Sequence, residues 1–295
     1  MLLTLLPLAS GFFYAFTAMA IKRSLQLRID PWQMSFTACW AMAILYMPML
    51  VWREPVQEPA AWWQIGLAAV LFLSGISTNF FALYNGDVSV ATPVLGTKTL
   101  FVALFSRLIF GIGLTGRIWI GAVLVVIALA LMRPPRAERE ENRGKFALSI
   151  GFALISAGSF ALCDVVVRNF SPFWSFGWLL PLLFWAVALL SCTMLPFFHK
   201  SLGALSRTQW YWLTAASILN AVQALGISLG LTAFAQANAT RINILYSSRA
   251  IWGVLVVWLL GSWFKNTESH STTVFIRRLI GAVLIVAAIV LAMME

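Results

Sequence analysis

Ten apolar runs, each about long enough to cross a bilayer, take up most of this 295-residue chain. They lie at approximately 3–21, 32–52, 62–84, 90–111, 117–133, 146–167, 173–198, 210–232, 239–262 and 277–294. A helix needs about 20 residues to cross the hydrocarbon core of a membrane. Inside that core no water bonds exposed N–H and C=O groups, so each run must satisfy its own backbone as a helix. The expected fold class is an all-α polytopic membrane protein with ten transmembrane helices. Composition agrees, with 61% hydrophobic and 10% charged residues, where a soluble domain carries about 25% charged. A net charge of +10 would suggest nucleic acid in a soluble protein. Here the positive residues fall mostly between the runs, where loop orientation and lipid headgroups account for them. Membrane lipid is an expected partner and nucleic acid is not.

The connections are short and carry turn or interface residues, as at Asp30-Pro31-Trp32, Arg53-Glu54-Pro55, Asn85-Gly86-Asp87 and Ser171-Pro172. Trp32, Trp62, Trp63, Trp119, Trp174, Trp210, Trp212 and Trp263 lie near run ends, where an interfacial aromatic belt belongs. Pro7, Pro48, Pro93, Pro181 and Pro196 fall in or near the runs, where neighbouring helices tolerate them. The N-terminal MLLTLLPLASGFF has no basic leader or clear cleavage site, so it reads as a retained first helix. Cys39, Cys163 and Cys192 form no CxxC pair and read as small buried hydrophobes. His199 and His270 fall in polar connections without metal-ligand spacing. No metal and no cofactor is expected. HExxH, Gly-x-Ser-x-Gly and Walker motifs are absent. No catalytic residue is assigned, and any pumping must draw on a gradient or on exchange.

One segment breaks the apolar pattern. Arg133 to Lys145 reads RPPRAEREENRGK, with eight charges in thirteen residues. It divides the chain into a first five-helix unit, 1–133, a charged linker, 134–145, and a second five-helix unit, 146–295. The halves are related in sequence. Residues 120–132, IGAVLVVIALALM, and 280–292, IGAVLIVAAIVLA, are identical at eight of thirteen positions at an offset of 160. Arg117 and Arg277 each stand three residues before those blocks. Ala91-Thr92 and Ala239-Thr240 open the fourth helix of each unit, and Gly111 and Gly261 close it. A repeated unit with an odd number of spans must be inverted across the membrane. Inverted repeats build secondary transporters with a site near the midplane.

The chain resembles the drug/metabolite transporter superfamily in its ten-helix EamA-like form. The likeness covers the full length and rests on the 5+5 repeat, on VATPVLGTKTLFVALF opening the fourth helix, and on the fifth helix GRIWIGAVLVVIALALM. It implies alternating access by rocking of two bundles around a central cavity. Many members carry a glutamate after the fourth helix in a Gly-Glu-Arg turn. Here Phe110-Gly111-Ile112-Gly113-Leu114 has no acid, so no role is carried over from it. Basic residues on the fourth and ninth helices also resemble those of the plastid organophosphate/phosphate antiporters. That branch's paired Lys-Arg is replaced by Ser248-Arg249, so the likeness implies anion binding and not sugar phosphate.

The polar residues inside the runs are the candidate site. Lys98 and Arg249 lie near the middle of the fourth and ninth runs. A cation at mid-depth costs at least about 2.5–3.5 kcal/mol on insertion scales. Reaching one cavity from corresponding helices, the pair would hold a carboxylate or phosphate. Alternatively each pairs with an acid such as Asp164 and locks helices. Asp164 is either an i,i+4 partner of Arg168 or a proton-coupling carboxylate. Asn243, Tyr246 and Arg249 share roughly one helix face, a cavity stripe or a set of interhelical bonds. Asn79, Asn220 and Gln223 are further buried amides that need partners. Tyr14 and Trp252 could line the cavity, although most aromatics pack. Asp87 reads as a solvated turn residue.

The expected protein is a secondary transporter of a small polar metabolite, an organic anion or a zwitterion such as an amino acid, acting as a monomer or dimer. It is expected to be a multi-pass protein of a bacterial inner membrane. The alternatives are an exporter of amphipathic or cationic compounds and, from another class, a membrane-embedded enzyme or lipid scramblase acting on an anionic headgroup. Thirteen lysines and arginines fall on the odd-numbered connections against five on the even-numbered ones. The positive-inside rule then places the linker in the cytoplasm and both termini outside, where the family habit places the termini inside.

Overall fold

This computed structural model describes residues 2–57, 61–86, 94–131, 143–233, 238–260 and 272–294. Every regular element among them is helical. Helix α1 is Leu2–Gln26, α2 is Pro31–Tyr46 with a 3₁₀ extension Met47–Trp52, α3 is Trp62–Asn85, α4 is Lys98–Phe110 and α5 is Gly116–Leu131. A single run, Arg143–Ser191, is broken at Ser175 (φ 53°, ψ 158°) into α6 (143–174) and α7 (176–191). A 3₁₀ segment, Cys192–Phe197, continues it. Then come α8, Arg207–Thr232, the short α9, Ala239–Tyr246, α10, Arg249–Leu260, and α11, Thr272–Met293. Among the described residues five stretches are long and apolar enough to cross a membrane: Thr4–Gln26, Pro31–Trp52, Trp62–Asn85, Ala147–Phe197 and Arg207–Thr232. The fourth of these has 51 residues, about two spans, and the break at Ser175 divides it.

Local chemistry sets these boundaries. Helix α1 ends where Arg28 adopts a left-handed conformation (φ 62°). Its Ile29 N–H bonds back to Ser24 O and the Arg28 N–H to Leu25 O, the pairing that satisfies terminal carbonyls. Asp30 then caps α2 through the Gln33 N–H at 2.8 Å, with Pro31 in the first turn. Ser206 caps α8 through the Gln209 N–H at 3.3 Å, and Asn238 caps α9 through the N–H groups of Thr240 and Arg241. Gly111, at φ 63°, closes α4, where the sequence expects that helix to end. Ser171-Pro172 is not a connection. Both residues lie within the helical run, and the chain turns three residues later at Ser175. Pro172 stays helical because neighbours can absorb a missing donor. Asp87, Pro93, most of the charged linker and the 261–271 connection lie outside the described residues.

Packing follows a pattern that survives exchange of the two halves. Helix α3 packs on α6 and α8 packs on α1, while α5 packs on α11 and α4 on α9. At the first pairing a Cβ on Gly75 would come within 2.8 Å of the Phe160 ring, and at the second a Cβ on Gly226 would meet Leu6 O at 2.8 Å. Only glycine permits so close an approach. Each contact is also tied by a serine. Ser156 Oγ donates to Gly75 O at 2.7 Å, and Ser10 Oγ donates to Gln223 O. The connections repeat the theme. Gln33 Nε2 donates to Lys200 O at 2.8 Å and Gln209 Nε2 to Leu27 O at 2.9 Å, joining the first connection to the seventh. Gln57 N donates to Phe173 O at 2.8 Å and Trp174 Nε1 to Gln64 Oε1 at 2.7 Å, joining the second to the sixth.

Candidate functional site

The fourth and ninth apolar runs are each interrupted, and the interruptions put two cations at helix starts. In the fourth, Val94-Leu95 is followed by a turn at Gly96-Thr97 before Lys98 opens α4. In the ninth, α9 ends at Tyr246, Ser247-Ser248 form a turn, and Arg249 opens α10. Both turns tighten to i→i+3 spacing, Thr97 N–H to Val94 O at 3.0 Å and Ser248 N–H to Leu245 O at 3.2 Å. Both carry a hydroxyl that bonds back to the preceding turn, Thr97 Oγ1 to Val94 O at 2.7 Å and Ser247 Oγ to Asn243 O at 2.9 Å. Hydroxyls used this way compete with the helical ladder and favour a local break. The two breaks touch, with Thr99 Oγ1 and Ser247 Oγ 3.3 Å apart.

Lys98 and Arg249 line one cavity of about 850 Å³, its mouth included, between α1, α3, α4, α6, α7, α8, α9 and α10. Lys98 and Asp164 are each 8% exposed and Arg249 is 9% exposed. The two cations have different surroundings. Lys98 Nζ lies 2.7 Å from Asp164 Oδ2. Arg249 has no carboxylate within 4.0 Å among the described residues, and its guanidinium lies over the rings of Tyr14 and Tyr246, 4.7 Å from each centroid. Aromatic faces stabilise a cation by about 0.5–2 kcal/mol without neutralising it. Among the described residues Lys98 is thus paired with an acid, and Arg249 faces the cavity with aromatic rather than carboxylate neighbours.

The other candidate residues divide between lining and support. Asn79, Asn220 and Tyr246 line the cavity, as do Gln223 and Tyr14. Tyr246 OH donates to Gln223 Oε1 at 2.8 Å, and Gln223 Nε2 lies 3.5 Å from Asn220 Oδ1. Asn243 does not line it. Its amide is buried behind the wall and donates to Asp164 Oδ2 at 2.8 Å and Ala239 O at 2.9 Å. The expected stripe Asn243–Tyr246–Arg249 thus supplies two wall residues and one that orients the acid. Trp252 packs edge-on to Phe12 at 5.1 Å and is not among the lining residues. Asp164, expected beside Arg168, holds Lys98 Nζ at 2.7 Å. Arg168 donates to Ser171 Oγ and Leu231 O, both at 3.4 Å. Sequence reasoning did not single out Phe72, Phe160 and Phe184, which form the cavity's apolar end. The signal available was spacing: Phe160 stands four residues before Asp164 and Phe72 seven before Asn79, so each pair shares a helix face.

The cation–aromatic contacts also respect the exchange of halves. Arg249 of the second unit lies over Tyr14 of the first, and Lys98 of the first lies over Phe160 of the second at 5.6 Å. Tyr14 and Phe160 each stand four residues after the serine, Ser10 or Ser156, that ties its helix to its neighbour.

Residues 1–133 match the family model described as the EamA-like transporter family. The chain carries an EamA-like transporter domain. The matched stretch holds α1 to α5, and so Lys98 and Tyr14, while Asp164 and Arg249 lie beyond it. An uncharacterised transporter of Archaeoglobus fulgidus is 26% identical over 165 residues, 55% of this chain. The match spans 57% of that relative's length. A solved crystal structure shares the fold of this EamA-like chain, with a TM-score of 0.67 over 96% of this chain and 98% of its own at 17% identity. Helices of spanning length make this an integral, multi-pass membrane protein, and its first 133 residues are similar to the EamA-like transporter family.

Proposed function

We propose that this EamA-like protein is a secondary carrier with ten transmembrane helices in a 5+5 inverted repeat. It moves a small organic anion or zwitterion across a bacterial inner membrane by alternating access, and Arg249 anchors the ligand's anionic group. The observation that carries this reading is the unneutralised guanidinium of Arg249, 9% exposed, in the wall of a central cavity. Keeping a cation there is costly, and a ligand carboxylate or phosphate would recover that cost through a bidentate, charge-assisted contact.

The repeat is supported by the exchange symmetry of the packing and by the matching breaks before Lys98 and Arg249. Broken helices around a midplane site are a feature of inverted-repeat carriers. The rocking motion is supported by the two sets of connection contacts. One joins the first and seventh connections and the other the second and sixth. In an inverted repeat these lie on opposite membrane faces, so each could close one gate. Asp164, held by Lys98 and Asn243, is the candidate coupling group.

Counterflow tests the proposal. Purified protein in liposomes loaded with unlabelled organic anion should accumulate labelled anion from outside, and empty liposomes should not. Movement of labelled lipid between leaflets without solute counterflow would point to a scramblase and contradict a carrier.

A further inference from the structure

We infer that the preferred ligand is a monoanion with an apolar, ring-sized body, and that zwitterions and dianions are disfavoured. This deepens the carrier proposal and rests on Arg249 as its anchor. Charge carries the first half. The described lining residues include two cations, Lys98 and Arg249, and one carboxylate, Asp164, a net +1. The chain's nine other acidic residues fall in connections, the linker or the last position. A monoanion brings the buried site to neutrality, whereas a dianion leaves one uncompensated negative charge there. A zwitterion leaves the site at +1, and its ammonium has poor access to an acid. Asp164 Oδ2 already receives Lys98 Nζ at 2.7 Å and Asn243 Nδ2 at 2.8 Å. An ammonium approaching that carboxylate would sit beside the Lys98 cation, and like charges at such range repel strongly.

Shape and polarity carry the second half. A series of contacts leads away from Arg249 into an apolar end. Tyr246 lies under Arg249 at 4.7 Å and near Lys98 Nζ at 5.9 Å, and Lys98 Nζ is 5.6 Å from the Phe160 ring. Phe160 meets Phe72 at 5.3 Å, and Phe72 meets Phe184 at 5.0 Å, both edge-on. Leu180, Leu183 and Ile76 complete that end. A ligand gripped at Arg249 therefore extends its other end among rings and branched side chains, where each apolar group removed from water adds affinity. Edge-on ring clusters also accept a further aromatic ring in the same geometry.

The test is a ligand series on the intact protein in lipid nanodiscs, by calorimetry, with empty nanodiscs subtracted. The probes are phenylacetate, acetate, phenylacetamide, phenylalanine and phenylsuccinate. Phenylacetate should bind tightest. Acetate, lacking the ring, and phenylacetamide, lacking the charge, should each bind about tenfold or more weakly. Phenylalanine and phenylsuccinate should also bind more weakly than phenylacetate. Phe72→Leu should weaken phenylacetate several-fold and leave acetate unchanged. Phenylalanine or phenylsuccinate binding as tightly as phenylacetate would overturn the inference. If binding of that ligand still depended on Arg249, the carrier proposal would stand without it. Anion binding indifferent to Arg249→Gln, or no binding by any probe, would remove the anchor and the inference together.

Discussion

Removing the charge of Lys98 leaves Asp164 in the cavity wall with Asn243 as its remaining close partner. Breaking a buried pair from one side destabilises, by about 3–5 kcal/mol in dry interiors. Both partners keep some exposure, 8% each, so Lys98→Gln should cost toward the lower figure, read as a fall in melting temperature. Replacing both partners, as Lys98→Met with Asp164→Leu, should recover most of that loss, because two apolar groups of similar volume need no pairing. A double variant no more stable than Lys98→Gln would show that the pair is not the source. Sequence exposed Lys98, Asp164 and Arg249 because a charge in an apolar run is too costly to be incidental. It did not expose which cation takes the acid. Arg168 is four residues from Asp164 along one helix, and Lys98 reaches it only through the fold. Phe72, Phe160 and Phe184 were illegible for another reason: among 41 aromatics, ordinary packing is the default reading of any one.

At the scale of the element, the close contacts of α3 with α6 and of α8 with α1 rest on Gly75 and Gly226. A methyl group at Gly75 would press on the Phe160 ring, and one at Gly226 on the Leu6 carbonyl. Gly75→Ala and Gly226→Ala should each destabilise by about 1–3 kcal/mol, the usual cost of overpacking. Gly226→Ala should cost more, since a backbone carbonyl yields less than the edge of a ring. Thermal unfolding of the two variants side by side checks both statements. Helices were legible where apolar runs are continuous, as in α1, α3 and α8, because lipid leaves the backbone no alternative. The breaks were not. Gly96-Thr97 and Ser247-Ser248 interrupt runs that hydropathy reads as unbroken, since short hydroxylated turns cost little apolar character. Ser171-Pro172 misled in the opposite sense, because a proline signals a turn in water more firmly than between packed membrane helices.

Across the whole molecule, the proposed repeat rests on the offset-160 match between 120–132 and 280–292. The pairing of α3 with α6 and of α8 with α1 is compatible with it. The side of the membrane on which each face lies is read from charge. With thirteen basic residues against five on the two sets of connections, the linker should be cytoplasmic. A single cysteine placed as Ala137→Cys should resist an impermeant thiol reagent in intact cells and react in lysed ones. Labelling from outside would reverse the orientation. The central claim is that Arg249 anchors an anion in a cavity shared by both halves, and one pair of measurements on Arg249→Gln tests it most directly. Affinity for the transported anion should fall about ten- to a hundredfold, the worth of a charge-assisted contact of about 1.5–3 kcal/mol. The melting temperature without ligand should stay close to the parent's, because no carboxylate among the described residues lies within 4.0 Å of that guanidinium. Unchanged affinity with a lowered melting temperature would make Arg249 a structural residue and contradict the account.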